Sequence, residues 1–171
     1  QKAGLNIQIA TVVTHQRVRS EEFIQFLEFA KHKGVAVSVC FPKPVGEWEG
    51  NFDVLVTPED IAYLSKLRQN YNVYNHLTPM YGLDIGCIAV KRMVSITKYG
   101  DVMPCPWMYF SIGNFFNEPL KNILQRGMIY FGKYESKCRV SEDKDFISKY
   151  ITKTYGTSDL PVPIEEIMIL E

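Results

Sequence analysis

Cys87, Cys105 and Cys138 are the residues whose type and spacing suit chemistry in this chain. Seventeen residues separate the first two, and Cys138 follows 33 positions after Cys105. Thiolates converging from separate loops suit iron or zinc, because both metals accept soft sulfur ligands. No C-x-x-C pair is present, which argues against ordinary zinc ribbons and fingers. The plain alternative is three unrelated thiols, since a free cysteine often serves as a small core residue. Spacing alone leaves both readings open.

Elements around these cysteines must bring them together. Residues 90–97, a turn at Tyr99-Gly100-Asp101, and Val102-Met103 have the pattern of a β-hairpin. Cys87 and Cys105 fall just outside its two arms, so pairing of the arms draws them close. A short helix is expected from Pro119, with Asn117 as cap and Gly127 as stop. Ser141 is expected to cap a further helix carrying Phe146, Ile147 and Tyr150, directly after Cys138. The segment from Leu160 to Glu171 has two prolines and no clear assignment.

The first half has another rhythm. Residues 5–13 begin as an alternating pattern and become continuously apolar, as in a strand buried on both faces. Ser20 is a good N-cap, Glu21 and Glu22 suit the first turn, and Phe23, Phe26, Leu27 and Ala30 share one helical face. Gly34 ends that helix, and residues 35–41 form a second apolar strand. Strand, helix and strand in this order make a βαβ unit with parallel strands. Thr57 and Pro58 open the next helix, whose apolar stripe is Ile61, Leu64 and Leu67. From Asn70 to Gly86 the pattern breaks, and a domain boundary is expected there, dividing the chain into residues 1–80 and 81–171.

Composition narrows the function classes. Apolar residues make up 46% of 171, enough for a packed core and against disorder. Nineteen basic and nineteen acidic residues balance, so no net field favours nucleic acid or an anionic membrane. The apolar runs are too short to span a bilayer, and no signal peptide is visible. Reduced or metal-bound thiols in the cytoplasm are therefore expected. The opening Gln1-Lys2-Ala3-Gly4-Leu5 has the pattern of a helix end, a glycine and a strand, as in a piece of a longer protein.

Gly86-Cys87, the run from Ser95 to Cys105 with its Gly100-Asp101-Val102-Met103-Pro104-Cys105, and Ile112-Gly113-Asn114 before a helix together resemble a known pattern. It is that of the auxiliary-cluster region of radical S-adenosylmethionine enzymes of the twitch or SPASM type. Residues 4–14 are similar to the fifth strand of such an enzyme's partial (β/α) barrel, and residues 34–46 to its sixth strand with the following loop. The resemblance, covering about residues 4–150, implies an α/β fold: the C-terminal part of that barrel, then a small α+β domain with a β-hairpin. It implies Cys87, Cys105 and Cys138 as ligands of an auxiliary 4Fe-4S cluster, with the fourth position open to Ser141, Asp143, an upstream residue or the substrate. It also implies that Phe41, Pro44, Val45 and Gly46 face the S-adenosylmethionine. The C-x-x-x-C-x-x-C loop for a second 4Fe-4S cluster, and a Gly-Gly-Glu segment, are absent from this sequence. In the intact enzyme a 5′-deoxyadenosyl radical would act on a peptide or small-molecule substrate, with a flavodoxin or ferredoxin as reductant.

Other candidates have plainer readings beside them. Thr14 and His15 end the first strand, where His15 suits a substrate contact or simply a solvent-facing loop. His32 and His76 have a structural look, Cys40 suits packing, and Asp84 and Asp101 suit turns. Trp107, Tyr109 and Phe110 suit either a shield over the cluster or ordinary core. Rival functions are a structural zinc-binding domain and a metal-free binding module.

Overall fold

The computed structural model describes residues 3–75 and 86–169. It divides into two compact units, one of Gln1–Pro44 with Asn51–Leu83, the other of Val45–Gly50 with Asp84–Glu171. The expected boundary near residue 80, His76 and Asp84 lie outside the described residues.

The first unit is a parallel sheet with helices as crossovers. Its strands β1 (Gln8–Val12), β2 (Ala36–Cys40) and β3 (Val73–Asn75) lie in the order β1-β2-β3, with Gln8 opposite Ala36 and Val37 opposite Val73. Helix α1 (Glu21–His32) starts where Ser20 accepts a hydrogen bond from the Phe23 N–H, and buries Phe23, Leu27 and Ala30. These pack with Val13, Val37, Val39, Phe41 and Leu64 in one apolar core.

Two strand expectations change. β1 has alternating exposure rather than burial on both faces, because among the described residues only β2 flanks it and Val12 is exposed. β3 lies inside the segment expected to be irregular, and three residues are too few to show a period.

Helix α2 (Pro58–Leu67) is fixed by a full capping box, with the Thr57 hydroxyl accepting from Asp60 N–H and the Asp60 carboxylate accepting from Thr57 N–H. The same buried carboxylate accepts from His15 Nδ1 at 2.6 Å and from the Arg19 guanidinium, which also lies 5.2 Å over the Tyr63 ring. One carboxylate thus ties the loop after β1 to the start of α2. His15, expected as a loop residue, is held in this pair.

In the second unit, β4 (Ser95–Ile96) and β5 (Val102–Met103) form the hairpin, antiparallel with Ile96 opposite Val102. Its first arm is two residues long rather than eight, since residues 89–93 turn back on themselves. β6 (Phe110–Ser111) pairs in parallel with β7 (Val162–Pro163), which gives the unassigned C-terminal segment its place. Helix α3 (Leu120–Phe131) runs straight through Gly127. A Cβ there would stand 2.7 Å from Ile112 and 3.0 Å from Val90, so Gly127 permits close packing rather than ending the helix. Pro119, not Asn117, is its N-cap, without a side-chain bond. Helix α4 (Lys144–Lys149) is capped by Asp143, whose carboxylate accepts from Phe146 N–H, and not by Ser141. A short helix, α5 (Ile164–Ile167), closes the unit. Among the described residues no helix is long and apolar enough to cross a membrane.

Burial works to raise the Asp60 carboxyl, but hydrogen bonds from His15, the Thr57 backbone and Arg19, with the His15 charge, outweigh it and hold it low. Its stabilisation is therefore complete above the unfolded carboxyl value of about 4 and fades as pH falls through the lower folded value. Asp60→Asn should cost about 1–3 kcal/mol in urea unfolding at pH 7. The variant and the parent should converge in stability toward pH 2, and a difference independent of pH would contradict this account.

Candidate metal centre

Two backbone hydrogen bonds join the three cysteine segments. The N–H of Cys87 donates to the carbonyl of Glu135, three residues before Cys138, at 2.8 Å. The N–H of Val90 donates to Met93 at 2.8 Å and to Pro104, directly before Cys105, at 3.1 Å. Val90 makes both bonds from the left-handed region, with φ 61°, a costly place for a β-branched residue. Its side chain is packed against the space beside Gly127, which holds the strained backbone in place. Gly86 is equally constrained: its φ is 59°, and a Cβ would overlap the Glu135 carbonyl.

The hairpin behind Cys105 is pinned by Asn114. Its amide donates to the Tyr99 carbonyl at 2.9 Å and to Asp101 at 3.0 Å, while its oxygen accepts from Phe116 N–H. Asp101 in turn accepts from the Thr97 hydroxyl, as a turn residue should. Gly113 has no room for a side chain against Arg126, Glu118 and Ile123. Arg126 closes that corner with a bidentate pair to Glu118 at 2.7 and 2.9 Å and a bond to the Ile112 carbonyl.

Cys87 and Cys105 are buried, and Cys138 is half-buried. Burial pushes the Cys105 thiol up to about 12, and the nearby charges of Cys138 and Cys87 add to the rise. The backbone N–H groups of Trp107 and Met108 point at the Cys105 sulfur and pull the other way. Cys87 and Cys138 are therefore each within electrostatic reach of Cys105. Among the described residues no group of three Cys, His, Asp or Glu is closed around a point as a single ion needs. A multi-iron cluster asks less closure, because each thiolate binds its own iron.

Three residues on, Ser141 is fully buried and its hydroxyl has no hydrogen-bond partner. Two buried thiols and one half-buried thiol, with an orphaned hydroxyl on the turn that follows Cys138, are a donor set whose chemistry suits an iron–sulfur cluster. Met108 is fully buried, Phe110 is stacked 6.4 Å from Phe131, and Trp107 is exposed while its backbone N–H reaches the Cys105 sulfur. Arg139 lies over the Phe131 and Phe146 rings and pairs with Glu135 at 3.2 Å.

Cys40 ends β2 and belongs to the first unit, whereas Cys87, Cys105 and Cys138 belong to the second. Of the residues expected to face S-adenosylmethionine, Phe41 and Pro44 are buried in the first unit, while Val45 is buried in the second and Gly46 is exposed with φ 61°. The position of Val90 and the Glu135 carbonyl had no signal in the sequence. The orphaned hydroxyl had one, since Ser141 was a candidate fourth ligand.

Residues 87–140 match the family model of SPASM, an iron-sulfur cluster-binding domain. No curated protein and no solved structure matches the chain.

In metal-free protein at pH 8, burial keeps the Cys105 thiol overwhelmingly protonated. Iodoacetamide should label Cys105 slowly in the folded protein and faster as pH rises, whereas labelling at pH 8 as fast as in the urea-unfolded chain would contradict this. Gly86→Ala should speed Cys105 labelling and cost about 1–3 kcal/mol, by forcing Cys87 away from Glu135. Unchanged labelling in that variant would show that the Cys87–Glu135 bond does not hold the site.

Proposed function

We propose, from the SPASM iron–sulfur domain that the chain carries over residues 87–140, that Cys87, Cys105 and Cys138 hold the auxiliary 4Fe-4S cluster of a radical S-adenosylmethionine enzyme. The observation that supports this reading is that Cys87 and Cys138, from segments far apart in the chain, lie near enough to the buried Cys105 for their charges to act on it. Bound there, the cluster supplies one-electron chemistry or a docking point for substrate, in an oxidoreductase or maturase.

What the chain's own residues do follows from their positions. Cys87 is brought in by Gly86 and the Glu135 carbonyl, and Cys105 by Val90 and the hairpin. The Trp107 and Met108 N–H groups donate toward the Cys105 sulfur, which favours its thiolate and tunes the potential of whatever it binds. Met108 and Ile112, both fully buried, belong to the apolar interior of the same unit.

In the same reading the parallel β1-β2-β3 sheet with α1 and α2 is the C-terminal part of the partial barrel, and residues 41–46 contact S-adenosylmethionine. The cofactor-cleaving cluster, a peptide or small-molecule substrate, a flavodoxin or ferredoxin and a cytoplasmic setting complete it.

Anaerobic reconstitution with iron and sulfide should give a brown protein, and Cys105→Ala should lose that cluster's iron. Equal iron in the variant and the parent would refute the ligand set. A colourless protein that takes up zinc stoichiometrically and no iron would replace this reading with a structural zinc site.

A further inference from the structure

We infer that Ser141 is the fourth protein ligand of the cluster, a reading that rests on the cluster proposed above. The first ground is burial. The Ser141 side chain is 0% exposed, yet among the described residues nothing accepts from or donates to its hydroxyl. Buried hydroxyls are nearly always satisfied, so a partner outside the protein's own atoms is called for.

The second ground is position. The Ser141 N–H donates to the Cys138 carbonyl at 3.3 Å, and the Glu142 N–H to the same oxygen at 2.9 Å. Residues 138–142 therefore form one helical turn, and positions three apart on such a turn share a face. Cys138-Arg139-Val140-Ser141 has the C-x-x-C spacing by which two successive ligands reach one iron–sulfur cluster, with oxygen in place of the second sulfur.

The third ground is the cap. Ser141 is a residue type that favours helix N-termini, but Asp143 caps α4 and leaves the serine unused. Nothing in the local backbone employs the hydroxyl.

Cys87, Cys105 and Cys138 leave one iron of a four-iron cluster without a protein ligand. Binding by Ser141 forms an iron–oxygen bond as the hydroxyl proton leaves to solvent, with no change in oxidation state. The match to the SPASM family ends at residue 140, so it assigns no role to this serine.

The test compares parent, Ser141→Ala and Ser141→Cys protein, each reconstituted anaerobically with ferrous iron and sulfide. The parent should keep its iron under mild ferricyanide oxidation. Ser141→Ala should lose about a quarter of the cluster's iron and show the EPR signal of a three-iron cluster. Ser141→Cys should keep all the iron, with an altered EPR spectrum and stronger sulfur-to-iron absorption. An alanine variant with the parent's iron content, spectrum and oxidative stability would overturn the inference. Should the alanine variant fail to fold, a cysteine variant spectroscopically identical to the parent would overturn it equally. A parent protein that takes up no cluster would instead defeat the reading beneath it.

Discussion

The second unit depends on a single strained residue. Val90 has to adopt a left-handed backbone so that one N–H can reach both Met93 and Pro104, and this double bond draws the Cys87 segment onto the Cys105 segment. A non-glycine residue persists there only if its surroundings over-determine it. They do: Gly127 yields the space that the valine methyls fill, and Ile112 packs beside them. The helix face, the hairpin and the cysteine loop are thus conditions for one another. A glycine at position 90 would relieve the backbone but leave the space beside Gly127 unfilled.

The glycines of this unit follow the same logic. Gly86 lets the chain pass against the Glu135 carbonyl, Gly113 lets it pass between Arg126 and Ile123, and Gly127 lets α3 approach the cysteine loop. Each marks a place where two segments meet more closely than a side chain allows. The first unit uses a different device. There, Asp60 gathers His15, Arg19 and Thr57 on one buried carboxylate, so charge and capping do what close backbone packing does in the second.

Local chemistry was legible in the sequence where it acts over a few residues. Ser20 and Thr57 cap their helices as their types suggest, because an N-cap bond needs only the next three residues. The parallel βαβ arrangement was legible too, since period and order determine it. Gly127 was not, because a packing glycine and a helix-ending glycine look alike until their neighbours are known. Ser141 and Asp143 are both capping types two positions apart, and only the turn from Cys138 to Glu142 decides between them. β3, β6 and β7 have two or three residues each, too short for a period, and their partners are distant in the chain. The link from Asp60 to His15 spans 45 positions and had no local sign. At the candidate site, the cysteines were visible as a set, whereas the bonds that assemble them were not.

Burial sets opposite demands at the cysteines. It excludes water, which would protect a cluster and raise the influence of every nearby dipole. It also holds the Cys105 thiol in its protonated form in the free protein, with the like charges of Cys87 and Cys138 acting in the same direction. Three thiolates without a cation would repel one another in a medium of low dielectric constant. Were the proposed cluster bound by these cysteines, its loading would expel protons as iron enters, and the iron's charge would reverse the sign of the interaction among the sulfurs. The N–H groups of Trp107 and Met108 are already aimed at the Cys105 sulfur before that happens. Their dipoles favour the thiolate state, so the backbone opposes the burial that keeps the thiol protonated, in the direction a bound cluster would need.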